Sequence, residues 1–303
     1  MKLFSVVVTF NGMKWIGDCL ASLFQSTVPI EVIVVDNNST DETVKYIKSN
    51  FPEVILFEQK ENLGFGKANN IGMSYALNQN AEFVFLLNQD AKIERTTIEA
   101  LIQVSKKNKD LGVLSPIHLN WEGDGLEFGF FNNEFFKDFL LSNQLKKFYI
   151  EPKFINASAW LLPIKTLKIV GGFDPIFFHY GEDVNYCQRV VYHNLKLAVV
   201  PNVKIFHDTT NNGVVKYSSK QINVAISDRY FRNQAIIKYA NVNTDDVLNY
   251  SKFKRKILFR VIFNFLNFNI EKAKTDLRYY GMLKKMNVKE SYQMNREAKQ
   301  SYL

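Results

Sequence analysis

Five short stretches of this sequence carry residue types and spacings that could do chemistry. The first is Asp36-Asn37-Asn38-Ser39-Thr40-Asp41, directly after a β-branched run. A carboxylate at a strand end can accept a hydrogen bond from the N3–H of uracil or thymine. Asn38 and Ser39 could equally cap the next helix. The second is Asn62-Leu-Gly-Phe-Gly-Lys-Ala-Asn-Asn70. Gly64 and Gly66 let the backbone run close to a ligand, Lys67 can meet a phosphate, and Asn69 opens a helix face. A plain glycine turn before a helix would look the same. The segment is neither the dinucleotide G-x-G-x-x-G after a first strand nor the longer Walker pattern.

The third stretch is Asn88-Gln89-Asp90, at the end of the apolar run Phe83–Leu87. A carboxylate exposed there can hold a hard divalent cation, which would neutralise a leaving diphosphate. The fourth runs from Gly171-Gly-Phe-Asp174 to Glu182-Asp183. An acidic pair favours a helix start, and it can also supply a general base that takes a proton from an acceptor hydroxyl. The fifth is His207 with Asp208, a candidate metal or phosphate ligand or a structural histidine. His118, His179 and His193 show no metal-ligand spacing and stay unassigned.

These residues need a scaffold, and the pattern supplies one. Strand-like runs at Leu3–Phe10, Ile30–Val35, Val54–Glu58, Phe83–Leu87 and near Val113-Leu114 alternate with helical spacing over 15–26, 41–50, 66–78 and about 96–107. Such alternation predicts an α/β fold, a mostly parallel sheet with helices on both faces. Functional groups then gather at the C-terminal strand ends. From Pro116 to Lys153 glycines and paired asparagines suggest loops with short strands. Beyond them, 155–163, 166–170, 185–193 and 197–200 read as strand, helix, helix and strand, with His207 past a turn at Pro201-Asn202. Helices are expected over 221–240 and 252–280.

Hydrophobic residues at 47% and charged residues at 22% allow a sizeable core and argue against disorder. The 26 Phe and 14 Tyr read as an aromatic-rich core. The net charge of +8 is concentrated at one end: residues 252–303 hold 13 Lys/Arg against 4 Asp/Glu. Such a segment attracts anionic lipid, nucleic acid or an acidic partner, or is a solvated helix face. Cys19 and Cys187 form no disulfide framework or zinc motif, which fits a reducing compartment. No signal-peptide pattern and no spanning apolar stretch is expected.

Together the five stretches resemble family 2 of the inverting nucleotide-sugar glycosyltransferases, with the GT-A fold. The resemblance is carried by Val6-Val-Val-Thr-Phe-Asn11, Val34–Asp41, Asn62–Gly66 with Asn69-Asn70, Leu86–Asp90, Gly171–Asp174, Glu182-Asp183 and His207, in the family's order over roughly 3–210. The N-L-G-F-G and L-L-N-x-D segments are most similar to the rhamnosyltransferase-like branch, which builds bacterial surface polysaccharides and often uses dTDP-linked rhamnose. The resemblance implies a GT-A unit over 1–215 and a helical extension over 216–303. It implies that Thr9, Asn11, Asp36, Asn38, Gly64, Lys67, Asn69 and Asn88 bind the nucleotide. It implies that Asp90 and His207 hold Mg²⁺ or Mn²⁺, that Asp183 is the base, and that Glu182 supports it. Asn88 departs from the family's D-x-D, a substitution familiar in that branch. The implied partners are a dTDP- or UDP-linked sugar and a glycan or lipid-linked glycan acceptor, with no nucleic acid. The expected place is the cytoplasm, and the residue pattern of 252–268 itself offers packing of an apolar face on the catalytic domain, peripheral contact with the inner face of the membrane, or a homodimer as uses of the basic end. There Phe253, Ile257, Leu258, Val261 and Phe265 form the expected apolar face. Two alternatives stand beside this: a sugar nucleotidyltransferase, whose glycine-rich loop after strand one is missing here, and a catalytically silent sugar-nucleotide or polysaccharide-binding subunit.

Overall fold

The computed structural model describes residues 1–127, 129, 151–209 and 220–303. Among them the elements run β1 (Leu3–Thr9), α1 (Ile16–Phe24), β2 (Glu31–Asp36), α2 (Thr43–Asn50), β3 (Ile55–Glu58), α3 (Phe65–Asn78), β4 (Phe83–Asn88), β5 (Ala91–Ile93), α4 (Thr97–Lys107), β6 (Leu111–Leu119), β7 (Ala159–Pro163), α5 (Ile164–Val170), α6 (Glu182–Tyr192) and β8 (Lys196–His207). Helices α7 (Lys220–Tyr239), α8 (Tyr250–Leu266), α9 (Ile270–Lys285) and α10 (Val288–Arg296) follow, with a short 3-10 turn at Asp246–Asn249.

The described strands form one sheet in the order β3-β2-β1-β4-β7-β6-β8-β5. The β-branched runs of β1 and β2 are buried on both faces, as parallel strands under two helix layers must be. Phe4 and Val6 join Trp160, Phe173 and Tyr186 beneath α3, α5 and α6. Leu3 and Val7 join Ile16, Leu20, Ile98 and Leu101 beneath α1 and α4. Pairs β1–β2, β2–β3, β1–β4 and β6–β8 are parallel. β7 runs antiparallel between β4 and β6, and β5 antiparallel along β8. The strand order reverses between β1 and β4, so their C-terminal ends open the crevice where ligands bind in such sheets.

Several expected boundaries are corrected. The fifth strand expected near 113–114 runs from Leu111 to Leu119. The strand expected from 155 begins at Ala159, and helices α5 and α6 begin at Ile164 and Glu182 rather than at 166 and 185. No turn interrupts β8 at Pro201-Asn202. The strand passes through a register shift there and continues, burying Val203, Ile205 and His207 on alternate positions. Pro201 lacks an N–H, and the irregularity is where a ladder tolerates that. β5 was not foreseen, being three residues long. The single helix expected over 252–280 is two. Helix α8 ends in a Schellman turn, with Asn269 N–H on the Asn264 carbonyl at 2.8 Å and Phe268 N–H on Phe265 at 3.1 Å. Much of the expected loop region, 128 and 130–150, lies outside the described residues, as does 210–219.

The helical end has its own core. Phe177 packs with Ile236, Tyr239, Tyr250, Ile257 and Leu283. Among the described residues no helix is long and apolar enough to cross a membrane.

Candidate active site

The parallel register of β1 and β2 sets Thr9 beside Asp36. Thr9 donates its hydroxyl to Asp36 Oδ1 at 3.0 Å, and Ser39 donates both its N–H, at 2.9 Å to Oδ2, and its hydroxyl. Ser39 Oγ also accepts the Asn11 N–H at 2.9 Å, and Asn11 Oδ1 accepts the Thr40 N–H at 2.8 Å. Asn11 and Asn38 both take positive φ, which asparagine tolerates. The 36–41 loop is thus folded round a buried Asp36. The expected capping by Asn38 or Ser39 does not occur, because Asp36 holds Ser39 first. Asp41 Oδ1 takes the Thr43 N–H at 3.1 Å at the start of α2 instead.

The glycine loop lies alongside. Asn37, a residue sequence reasoning passed over, donates to the Gly64 carbonyl at 3.3 Å and accepts the Leu63 N–H at 3.2 Å. Gly64 has φ +81°, and a side chain on it would run into the Phe178 carbonyl oxygen. A Cβ on Gly66 would lie 3.0 Å from Phe173 Cβ and 3.7 Å from Glu182 Cβ. The two glycines therefore let this loop meet the acidic loop from the other half of the chain. Lys67 is exposed on the first turn of α3 and forms no ion pair among the described residues. Asn69 is buried and donates to the Phe65 carbonyl at 3.0 Å. Asn70 takes the Phe173 N–H at 2.7 Å and donates to its carbonyl at 2.8 Å.

At the end of β4, Gln89 grips the Phe10 backbone, accepting its N–H at 3.0 Å and donating to its carbonyl at 3.2 Å. Asp90 then leads into β5. The pairing of Ala91 with His207 brings His207 Nε2 to 3.3 Å from Asp90 Oδ1. Asp208 donates its N–H to the Asp90 carbonyl at 2.9 Å, while its carboxylate takes Lys14 Nζ at 2.7 Å and Trp15 Nε1 at 2.8 Å. Burial opposes a charged His207. The hydrogen bond and charge of Asp90, with Glu127 and Asp208, outweigh it and raise its pKa.

Asn88 Oδ1 and His207 Nδ1 are buried without a hydrogen-bond partner. Two ligands at adjacent corners of a six-coordinate shell of about 2.1 Å radius stand about 3 Å apart. The Asp90–His207 pair has that spacing; its carboxylate suits Mg²⁺ or Mn²⁺, and its imidazole favours Mn²⁺, the softer of the two. His118 and Glu127, both buried, bring ligand atoms within 4.8 Å of one on His207. Sequence spacing gives no sign of this, because the parallel pairing of β6 with β8 creates it.

The acidic pair opens α6 after Gly181, whose φ is +100°. Asp183 Oδ1 accepts the Val184 N–H at 2.8 Å, and its carboxylate also takes the Ala157 N–H. The neighbouring Ser158 carbonyl accepts the Asn88 N–H at 2.9 Å, so the start of β7 ties the acid to the end of β4. Burial pushes the Asp183 carboxyl up to about 6, against the lowering by backbone N–H groups such as that of Val184. Burial, then the charge of Asp183, pushes Glu182 up to about 7. Glu182 Oε2 is buried without a partner. Helix α7 braces this loop from behind. Asn233 donates to the His179 and Tyr180 carbonyls at 2.9 and 2.6 Å, and Arg232 donates to that of Ile176. His179 is held neutral, its pKa lowered to about 4 by burial and by Arg229. A cavity of about 500 Å³ lined by Asp174, Arg232, Met286 and Ser291 lies behind the acidic loop, and none of the strand-end residues lines it.

The sequence profile of Glycosyl transferase family 2 matches residues 5–156, half of the chain and most of this strand-end machinery. The chain belongs to that family. It is similar to the dTDP-rhamnosyl transferase RfbF of Shigella flexneri, 24% identical over 218 residues that cover 68% of this chain and 69% of that protein. It is similar also to the N-acetylglucosaminyl-diphospho-decaprenol L-rhamnosyltransferase of Mycobacterium tuberculosis, 25% identical over 229 residues, 67% of this chain and 74% of the other. Among solved structures it resembles S. aureus TarS 1–349, with a TM-score of 0.57 at 14% identity over 97% of this chain and 91% of that one. This family 2 member is thus a nucleotide-sugar glycosyltransferase with the GT-A fold, a mixed, mostly parallel sheet followed by helices.

Proposed function

We propose that this family 2 chain is an inverting, metal-dependent transferase. It would move rhamnose or another hexose from a dTDP- or UDP-linked donor to a hydroxyl of a glycan or lipid-linked glycan. The 1–215 segment is the catalytic unit and 216–303 the helical extension that braces its acidic loop. The observation that carries the reading is the position of Glu182-Asp183 beside the Gly64–Gly66 loop, with Asp183 at about 6. A base with a pKa near the working pH both stays deprotonated and accepts a proton well.

Thr9, Asn11, Asp36 and Asn38 hold the nucleoside, directly or by shaping its loop. Gly64 and Asn69 bring backbone close to the diphosphate and Lys67 faces it with charge. Asn88 lines the sugar side, with its unused Oδ1. Asp90 and His207 would hold the cation, which when bound would neutralise charge on the leaving diphosphate. Asp183 takes the acceptor proton as the acceptor oxygen forms its bond to the anomeric carbon. The bond from that carbon to the phosphate oxygen breaks, and the electron pair leaves with the nucleoside diphosphate. One such displacement inverts the anomeric configuration. The rhamnosyltransferases among the relatives support the donor class.

The test is release of nucleoside diphosphate from a panel of dTDP-, UDP- and GDP-sugars with lipid-linked glycan acceptors, the product anomer being read by NMR. An inverted product from a dTDP- or UDP-sugar is expected. A retained anomer overturns the mechanism, and donor binding without turnover would favour the silent-subunit reading.

A further inference from the structure

Helices α8 and α9 pack as an antiparallel hairpin. Its inner seam is closed by buried Ile257 and Ala273, and by Asp276, which takes Arg260 at 2.7 Å and Asn264 at 2.9 Å. The apolar face read from sequence is largely packed: Ile257 is buried and Phe253 and Val261 are half-buried, while Phe265 is exposed. A different face is open. Phe259, Ile262, Phe263 and Leu266 recur at i, i+3, i+4 and i+7, and are 71%, 50%, 65% and 70% exposed. Phe265 and Phe268 extend this patch into the turn, Phe268 being 88% exposed. Phe268 occupies the positive-φ position of the Schellman turn, where glycine is the usual residue. A bulky aromatic is thus presented at the tip at a conformational cost.

The same outward face continues toward the protein body as Lys252, Arg255 and Lys256, all exposed, with no ion pair among the described residues. Helix α8 has five basic residues and no acidic one. From Arg255 to Phe263 is about 12 Å along the helix at about 1.5 Å per residue. Apolar tip and basic collar are therefore stacked in the order that lipid tails and anionic headgroups are.

We propose that the α8–α9 tip docks on an anionic lipid surface, with Phe263, Leu266 and Phe268 entering the interface and Lys252, Arg255 and Lys256 at headgroup level. A second copy of the chain is a poorer occupant. A parallel α8–α8 contact sets those three cations against their own copies. An antiparallel one lays them on Phe263 and Leu266 and buries charge on apolar surface.

The test is flotation of the full-length protein at physiological salt with vesicles of phosphatidylcholine alone or mixed with phosphatidylglycerol. Two triple variants accompany it: Phe263→Glu/Leu266→Glu/Phe268→Glu and Lys252→Glu/Arg255→Glu/Lys256→Glu. All six positions are exposed, and melting curves check that both variants fold. The wild type is expected to float with the mixed vesicles, at least about tenfold more than with the neutral ones, as electrostatic attraction to anionic headgroups requires. Each triple variant is expected to lose that binding. A wild type that stays in the dense layer overturns the proposal, as does an apolar-tip variant that floats equally well. A dimer by sedimentation that the tip substitutions dissociate, without vesicle binding, also overturns it and gives the patch to self-association.

Discussion

His207 stands 3.3 Å from Asp90 although 117 positions separate them, because β5 pairs Ala91 with His207 in antiparallel register. Three residues of edge strand thus bring the histidine that ends β8 to the acid that follows β4. Neither side chain alone would make a firm cation site. With Asn88 in place of an acid, the proposed site would depend on both.

Activity should therefore vanish in excess chelator and return with Mn²⁺ or Mg²⁺. His207→Ala should raise the Mn²⁺ concentration for half-maximal activity by about tenfold or more, the scale on which even supporting residues of a metal site act. A metal titration of turnover measures this, and undiminished transfer in chelator would refute it.

Gly64→Ala tests the meeting of the two loops. The φ of +81° disfavours any side chain, and an added methyl meets the Phe178 carbonyl, which is backbone and cannot swing away. The loops must part, moving the glycine loop and the acidic loop together. The expected result is weaker donor binding with a lower kcat and a stability loss of about 1–3 kcal/mol, read by donor titration, kinetics and thermal melting. A variant with wild-type kinetics would show that the closeness has no function.

The central sheet was legible in sequence because buried parallel strands write themselves as β-branched runs such as Val6-Val-Val and Val32–Val35. Asp36 and Asp90 stood out because they sit at the ends of such runs, and Glu182-Asp183 because an acidic pair marks a helix start. What could not be read was pairing. Asn37 and Gln89 look like ordinary loop residues until Gly64 and Phe10 are seen across from them. His118 reaches His207 only through the β6–β8 register. The hairpin was only partly legible for a different reason: residues 253–268 are apolar on several sides, and periodicity alone cannot choose which side packs.

Asp174 joins the acidic loop to the last helix. Its buried carboxylate accepts the Ser291 hydroxyl and the Asn295 amide, the latter at 2.7 Å, and the Ile176 N–H at 2.9 Å. Asp174→Ala leaves those donors unpaired in the interior. It should cost about 3 kcal/mol, since unmade buried hydrogen bonds to a charged group are expensive. Chemical denaturation measures the loss. A change under about 0.5 kcal/mol, the range of ordinary surface substitutions, would mean that α10 does not depend on this anchor.

Asp183→Asn should separate catalysis from stability, moving them in opposite directions. The amide keeps the shape and can still accept the Val184 N–H, but it cannot take a proton. Turnover should fall about 10²–10⁴-fold with donor affinity little changed. In the wild type, kcat/KM should fall as pH drops through the 6–7 range, where Asp183 and Glu182 protonate. Stability has the reverse sign. The Asp183 pKa is raised from 3.8 to about 6 on folding, so the native state holds its proton where the unfolded chain has released it. That contribution is absent below pH 4. It destabilises increasingly as pH rises toward 6 and is fully present above. Removing the charge should then stabilise the protein at pH 8 by about 1–2 kcal/mol, the full shift being discounted for the part of Asp183 open to solvent. At pH 4 the two proteins should melt alike. Paired melting curves at pH 4 and 8 with single-turnover rates measure both arms. An inactive variant that is less stable at pH 8 would make Asp183 a structural residue and leave the base unassigned.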